Sequence, residues 1–367
     1  MSTRTRVGIL FGGRSCEHEV SVTSARSVLD AIDRTKYDVT MIGISKQGHW
    51  LLPGDAKAVL EAGVVAGDDL LPVTMDYLAD GAIVPRHGAQ EGLGSRSLDV
   101  VFPLLHGPYG EDGTVQGLLE LADVAYVGSG VVGSAVGMDK EMAKRAFIAE
   151  GLEQCDYSVV RRTHWRHSRP DIVQQLERTF SYPLFVKPSN LGSSVGITKV
   201  HSSDELAPAI DIAADYDSKV IVEAAVENAH EVECAVLGND EPQASTVGEI
   251  IPGNEFYDYE TKYIDDNSRL LIPAGISEAA AATVQQMAVR AFQAVGAMGL
   301  ARVDFFVRRE DGSVIINEIN TMPGFTPISM YPKLWAASGL SYSHLIDRLI
   351  ELALERHADK QQTRTAL

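Results

Sequence analysis

Along the chain, unbroken apolar runs that end on glycine alternate with stretches whose apolar residues recur every three or four positions. Residues 6–13, RVGILFGG, predict a buried strand running into a glycine turn, and residues 21–32, SVTSARSVLDAI, predict the helix after it. Strand-like VTMIGIS (39–45) and LDVVFPLL (98–105) repeat the pattern, and GTVQGLLELA (113–122) supplies a further helix. That alternation makes the first part of the chain α/β. Between these strands, residues 52–97 are rich in Gly, Asp and Ala and read as a peripheral insertion with weak structural signals.

A helix over 140–151 leads to a second series, PLFVKPS, ITKV and KVIVEAAV, with helix-like DELAPAIDIAA before the last of them. This order predicts a smaller α+β unit. From there come strands HEVECAVLG and QASTVGEII, an aromatic and polar loop, a long helix over 277–296, and the hairpin LARVDFFVRREDGSVIINEIN. Two helices close the series, and the tail after Ala358 reads as disordered. No internal repeat interrupts the pattern.

Composition narrows the field. With 367 residues, 45% of them hydrophobic, the chain can bury a core for about two or three domains. No run approaches a membrane span, and the start lacks a secretory pattern, so a cytoplasmic address is expected. Cys16, Cys155 and Cys234 are scattered, without the pairing of a zinc ribbon or a redox dithiol. Fifty acidic against 32 basic side chains give a net charge of -18, which argues against nucleic acid and anionic membrane as partners. An anionic ligand must therefore meet locally placed cations.

The hairpin carries the strongest candidate chemistry. Arg302 and Asp304 alternate on one strand, Glu318 and Asn320 on the next, and residues two apart share a sheet face. If Glu310, Asp311 and Gly312 form a three-residue loop, Asp304 lies opposite Glu318 and all four project to one side. Such carboxylate and amide oxygens suit Mg²⁺ or Mn²⁺ with positions left for phosphate. The same spacing also suits a solvated Arg-Asp-Glu network on an exposed strand. NEINTMPGF then enters a glycine turn that can present N–H groups to an oxyanion.

Lys187, in FVKPSNLGSSVG, stands at a strand end before a Gly and Ser-rich loop, with Lys140 of MDKEMAK upstream. This arrangement can clamp phosphates or be a plain surface turn, and it is not a Walker loop. GSGVVG (128–133) matches a dinucleotide fingerprint but lies in the wrong part of the α/β order, and reads as a tight connection. Glu17, His18 and Glu19 diverge in direction and make a poor metal site, whereas one acid there could receive a substrate ammonium. His106 occupies a similar strand-end position, where a ligand contact and a structural role are equally open.

In this order, GGRSCEHEVS, HGPYGEDG, MDK, FVKPSNLGSSVG, FYDYETKY, ARVDFF and NEINTMPG resemble the D-alanine:D-alanine ligases of the ATP-grasp fold, from Gly12 to about Pro332. The resemblance implies an N-terminal Rossmann-like substrate domain (1–128), a small central lobe (129–225) and a C-terminal lobe with the metal site and a lid (226–367). It implies ATP and two Mg²⁺ or Mn²⁺ ions, held by Asp304, Glu318 and Asn320, with Lys140, Lys187, Ser193 and Ser194 toward the phosphates. The segment from Glu223 to Val226 resembles the adenine clamp, Glu231 the ribose ligand, and Phe306 a residue packed on the base. Ala224 and Ala225 depart from members with a lysine and an aromatic residue there.

On the substrate side, Glu17 resembles the acid that takes the first D-alanine's ammonium, linked to Ser193 and Tyr263 with His106 close by. Arg302 and the Gly324 N–H resemble an oxyanion hole, and Ser329 and Met330 the positions for the second D-alanine's carboxylate. Lys262 and Tyr263 fall in a loop, 257–268, like the family's lid. A homodimer is expected from the resemblance alone. A relative that takes D-lactate or D-serine second, and a non-catalytic nucleotide-binding regulator, are the competing expectations.

Overall fold

The computed structural model describes residues 4–67, 70–76, 81–85, 96–192, 195–251 and 269–364. In the first part run β1 (Thr5–Gly12), α1 (His18–Ala31), β2 (Tyr37–Ile44), β3 (Trp50–Pro53), α2 (Ala56–Ala62), β4 (Leu70–Asp76), β5 (Ala82–Pro85), β6 (Val100–Pro103), α3 (Thr114–Leu121) and β7 (Ala125–Tyr126). The seven strands form one sheet in the order β5-β4-β3-β2-β1-β6-β7. Its β2-β1-β6-β7 half is parallel, as the α/β pattern requires, and apolar residues fill both faces of β1 from Val7 to Phe11. The segment read as a weakly structured insertion supplies β4 and β5, which with β3 extend the sheet as antiparallel strands.

The middle holds α4 (Val131–Met138), α5 (Lys140–Ala149), β8 (Tyr157–Arg161), α6 (Arg162–Thr179), β9 (Leu184–Pro188), β10 (Thr198–Val200), α7 (Ser203–Tyr216) and β11 (Lys219–Ala224). Its strands form an antiparallel sheet, β10-β9-β11-β8. Of GSGVVG, residues 128–130 make the short connection after β7, and 131–133 already belong to α4. Gly130 precedes α4, and a Cβ on Gly133 would lie 2.5 Å from the Gly296 carbonyl oxygen, so the glycine permits a close backbone approach.

The last part comprises β12 (Ala229–Gly238), β13 (Gln243–Ile251), β14 (Arg269–Leu271), α8 (Glu278–Ala294), β15 (Gly299–Arg308), β16 (Val314–Asn320), α9 (Met330–Ala337) and α10 (Tyr342–Lys360). Five strands pair as β14-β13-β12-β15-β16. Helix α8 starts where Ser277 Oγ accepts the Ala280 N–H, 3.2 Å, and it lays Ala280, Val284, Ala288, Ala291 and Phe292 into the core beneath this sheet. Ala143 and Phe147 of α5 enter the same core.

Helix α10 returns to the first sheet, where Leu345, Ile346 and Leu349 pack in one cluster with Val7, Ile9 and Phe102. Phe325 ties this junction together: its ring lies 5.6 Å from Phe102 and 5.5 Å from Tyr342, and its carbonyl accepts the Tyr342 O–H at 2.8 Å. Burying such a ring contributes about 1.5–3 kcal/mol and fixes the neighbouring 321–330 loop. The chain does not fray at Ala358. Lys360 pairs with Glu120, and Gln361 Nε2 donates to Asp123 at 2.6 Å, so the helix continues to Lys360.

Candidate active site

The hairpin β15–β16 pairs Arg302 with Asn320 and Asp304 with Glu318, as the sequence predicts. The route differs. Arg308 pairs with Ser313 across a four-residue turn, 309–312, instead of the expected three-residue loop. That turn alone would put Asp304 opposite Asn317 and send Glu318 to the core side. A bulge restores the pairing: the register shifts between Asp304 and Phe305, Asn317 becomes the extra residue, and Glu318 returns to the Asp304 face.

On that face the Arg302 guanidinium grips Asp304 with Nε and Nη2, both at 2.7 Å, while Nε lies 3.1 Å from Glu233. Burial works against the Arg302 charge, but Asp304 and Glu233 outweigh it and hold its pKa well above the ordinary value. Glu233 stands directly across from Asp304 on β12 and was not among the candidates read from the sequence. Lys140 reaches Glu318 at 3.6 Å and donates to the Leu191 carbonyl at 2.8 Å. Helix α5 aims it there: Asp139 caps the helix by accepting the Met142 N–H at 3.2 Å, and Lys219 fixes Asp139 at 2.7 Å.

Lys187 projects from β9 and meets Glu223 of β11 at 2.6 Å, and Lys144, one turn beyond Lys140, meets the other Glu223 oxygen at 3.0 Å. Lys187 and Glu223 line a cavity of about 330 Å³ together with Ala224, Val226, Glu231 and Phe306. A second cavity, about 690 Å³, opens on the other side of Glu318 and is lined by Glu17, His106, Arg302, Gly324, Ser329 and Met330. Glu318 and Asn317 belong to both walls.

Glu17 precedes α1 at the end of the β1 turn, 7% exposed. Two loops crowd it. A Cβ on Gly107, where φ is +76°, would lie 2.6 Å from Glu17 Oε2, and one on Gly192 would lie 3.0 Å away, so glycine allows both to approach. His18 is structural: its ring nitrogens meet the Gly13 carbonyl at 2.9 Å and the Val65 N–H at 3.1 Å, and Glu19 pairs with Lys46.

His106 is a brace. Nδ1 must carry the proton to meet the Met322 carbonyl at 3.0 Å, leaving Nε2 to accept from Ser24 Oγ at 3.2 Å. Burial pushes its pKa down, against the pull of Glu17. Glu111, a second acid missed by the sequence reading, accepts the Gly107 N–H at 2.5 Å, and burial and then Glu17 push its pKa well up. Ser329 Oγ accepts the Thr326 N–H at 3.1 Å and stands just before α9, and Ser329 and Met330 at that helix start line the larger cavity. Ser193, Ser194, Lys262 and Tyr263, with the whole 257–268 loop, lie outside the described residues.

The donor set fits a divalent cation. Two carboxylates and an amide on facing strands are hard oxygen ligands, few enough to leave room for phosphate, and Arg302 and Lys140 now partly neutralise them. Among the described residues no three His, Cys, Asp or Glu gather into a preformed cage. An acid-lined wall between two cavities, with Lys187 on one side and Arg302, Lys140 and a helix start on the other, suits a ligase that uses a nucleotide to activate a carboxylate, built on the ATP-grasp fold.

Residues 6–129 match the family model described as the D-ala D-ala ligase N-terminus, and residues 147–351 that of its C-terminus. The chain belongs to the D-alanine–D-alanine ligase family. It is 51% identical over 370 residues to the D-alanine–D-alanine ligase of Acetivibrio thermocellus, covering 98% of each chain, and 48% identical to that of Geobacillus thermodenitrificans, again at 98% and 98%. Among solved structures, the D-alanine–D-alanine ligase of Coxiella burnetii superposes with a TM-score of 0.84 at 37% identity, covering 98% of this chain and 97% of that one. The VanG D-Ala:D-Ser ligase of Enterococcus faecalis gives 0.84 at 36% identity, covering 96% and 100%.

Proposed function

We propose that the protein joins two D-alanine molecules into D-alanyl-D-alanine at the expense of ATP, by way of a D-alanyl phosphate, and so feeds peptidoglycan synthesis. One observation carries the assignment of the site: Asp304, Glu318 and Arg302 converge on the wall between the two cavities. The nucleotide belongs in the smaller cavity, its base against the segment from Glu223 to Val226 and Phe306, its ribose at Glu231, its phosphates toward Lys140, Lys187, Ser193 and Ser194. Asp304, Glu318 and Asn320 would hold two Mg²⁺ or Mn²⁺ ions, which supply charge neutralisation between the phosphates.

The D-alanines belong in the larger cavity. Glu17 receives the first ammonium, with Ser193 and Tyr263 linked to it by the resemblance, and His106 keeps that wall in place. A carboxylate resists attack by an amine, so phosphorylation must precede ligation. Each opposite charge 4 Å from the reacting oxygens recovers about 4 kcal/mol at an effective dielectric near 20; Lys187 and Lys262 serve here. When the second amine attacks, charge grows on an oxygen that Arg302 and the Gly324 N–H meet. The start of α9 at Ser329 and Met330 takes the second carboxylate. Closing the 257–268 loop would keep water from the acyl phosphate.

The resemblance extends the proposal to a cytoplasmic homodimer with lobes at 1–128, 129–225 and 226–367. Among the described residues no helix is long and apolar enough to cross a membrane. Release of ADP and phosphate that depends on D-alanine tests the activity, and nucleotide binding without such release makes the chain a regulator. Offering D-alanine together with D-lactate or D-serine tests the second substrate. Predominant dipeptide of D-alanine is expected, and a predominant ester or D-alanyl-D-serine product overturns that assignment.

A further inference from the structure

Lys144 lies one helical turn beyond Lys140 and is buried, 1% exposed. Its ammonium sits 3.0 Å from Glu223 Oε1, 3.5 Å from Cys155 Sγ and 5.5 Å from the centre of the Tyr157 ring. Glu223 Oε2 holds Lys187 at 2.6 Å. One buried carboxylate therefore serves two ammoniums, an arrangement with an excess positive charge and a heavy desolvation cost. A methionine would fill the Lys144 site without that cost, so the charge needs a reason.

The reason lies in what Lys187 must do. With a nucleotide bound, Lys187 is assigned to the phosphates, and turning toward them weakens its hold on Glu223. Left alone, the carboxylate would be an uncompensated buried anion, free to follow Lys187 or turn aside. Lys144 prevents this, because it grips the other oxygen from a different element, α5. The released oxygen then opens onto the smaller cavity at the start of the segment assigned to the base. A carboxylate can only accept hydrogen bonds. It suits the 6-amino edge of adenine and repels the 6-oxo edge of hypoxanthine or guanine.

We propose that Lys144 is a positioning residue that anchors Glu223 while Lys187 turns to the phosphates, and thereby sets the enzyme's preference for 6-amino over 6-oxo purine nucleotides. Burial alone would push the Glu223 carboxyl up, yet the two ammoniums hold it down to about 2, so in the ligand-free chain it is already an anion. The inference rests on placing the nucleotide base beside residues 223–226.

The test compares ATP with ITP, which differ in the 6-substituent, in the unaltered protein and in Lys144→Met, Glu223→Gln and the double variant. Lys144→Met should raise the KM for ATP at least about tenfold, the size of one hydrogen bond to a charged group, with kcat at saturation little changed. The ATP over ITP ratio of kcat/KM should fall by a similar factor. Adding Lys144→Met to Glu223→Gln should cost no further selectivity, since both act through one carboxylate. Equal losses for ATP and ITP, or a fall in kcat at constant KM, would assign Lys144 to packing alone.

Should Lys144→Met fail to fold, the double variant compared with Glu223→Gln alone replaces it; selectivity equal to the unaltered protein's, or a loss beyond that of Glu223→Gln alone, overturns the proposal. Calorimetric titration with ADP and IDP reads the same preference without turnover. Loss of D-alanine-dependent ADP release in the unaltered protein would thus sink the proposed activity, while an unselective titration would sink the role of Lys144.

Discussion

Arg302 is held from two sides, by Asp304 and by Glu233, and its loss would leave two buried carboxylates facing each other across β12 and β15. Removing one partner of a buried pair costs about 3–5 kcal/mol. Loss of an oxyanion donor costs about 3–4 kcal/mol of transition-state stabilisation. Arg302→Ala should therefore bind ADP in a titration yet lose a factor of about 10² or more in kcat; near-normal turnover would remove it from the mechanism. Glu111 makes the opposite case. Its folded pKa is raised, so its stabilising contribution is full below the unfolded value of about 4.3 and is lost as pH rises through the folded value. Glu111→Gln should thus stabilise the fold by about 0.5–2 kcal/mol at pH 8 and not at pH 4, checked by denaturant melts at both. A gain at pH 4 as large as that at pH 8 would refute the assigned titration. Arg302 with Asp304, and Glu318 with Asn320, were legible as pairs because a period of two along each strand puts the members of a pair on one face. Glu233 and Lys144 were not, although an acid inside VECAV and a lysine on the apolar face of α5 are both out of pattern; their partners are distant in sequence, and local periodicity says nothing about which strands or helices meet.

At the scale of elements, strong periodicity translated directly: β1, α1, α8 and the hairpin fall where the apolar spacing puts them. The hairpin's register was right for a reason the pattern could not contain, since a longer turn and a bulge at Asn317 cancel and nothing local marks either. Helix α6 escaped notice because Pro170 and the non-helical Ser168 break its period, and because only Trp165 and Leu176 of its side chains are buried. The insertion's strands are short and sit at a sheet edge, where one face or less needs apolar residues. Helix α5 was foreseen, and its start can be tested. Asp139 caps the Met142 N–H, accepts from Ser189 Oγ at 3.0 Å and pairs with Lys219. Asp139→Asn keeps a capping oxygen but removes the ion pair, whereas Asp139→Ala removes both. Alanine should cost about 1 kcal/mol more than asparagine in thermal unfolding. Both should raise the KM for ATP, because Lys140 follows the cap; a KM unchanged in both variants would separate Lys140 from its helix start.

The whole molecule divides by its cores instead of by its sequence. Val7, Ile9, Ala235, Leu237, Ile250 and Leu345 share one cluster, so the first sheet and the last lobe are packed as one body. The β10-β9-β11-β8 sheet has its own cluster, from Val160 to Val222, which shares no residue with the others. Between that lobe and the body run polar contacts such as Lys140 to the Leu191 carbonyl and Lys219 to Asp139. Units held by few apolar contacts open at lower free energy than the global value. Hydrogen exchange should therefore find amides of β9 and β11 exchanging faster than those of β1 and β15 in the ligand-free protein. A nucleotide held between the lobe and the hairpin would add RT ln(1 + [L]/Kd) to the opening cost, about 2.7 kcal/mol at a hundred times Kd. ADP with Mg²⁺ should then slow exchange in 184–188 and 219–224 by about a hundredfold while leaving β1 little changed. Because Lys187 and Glu223 lie in those two segments and Asp304 in the body, protection confined to the lobe and to β15 would place the nucleotide across the junction. Uniform protection of all three sheets would instead mean that they open as one unit, and no change in β9 and β11 would put the nucleotide elsewhere.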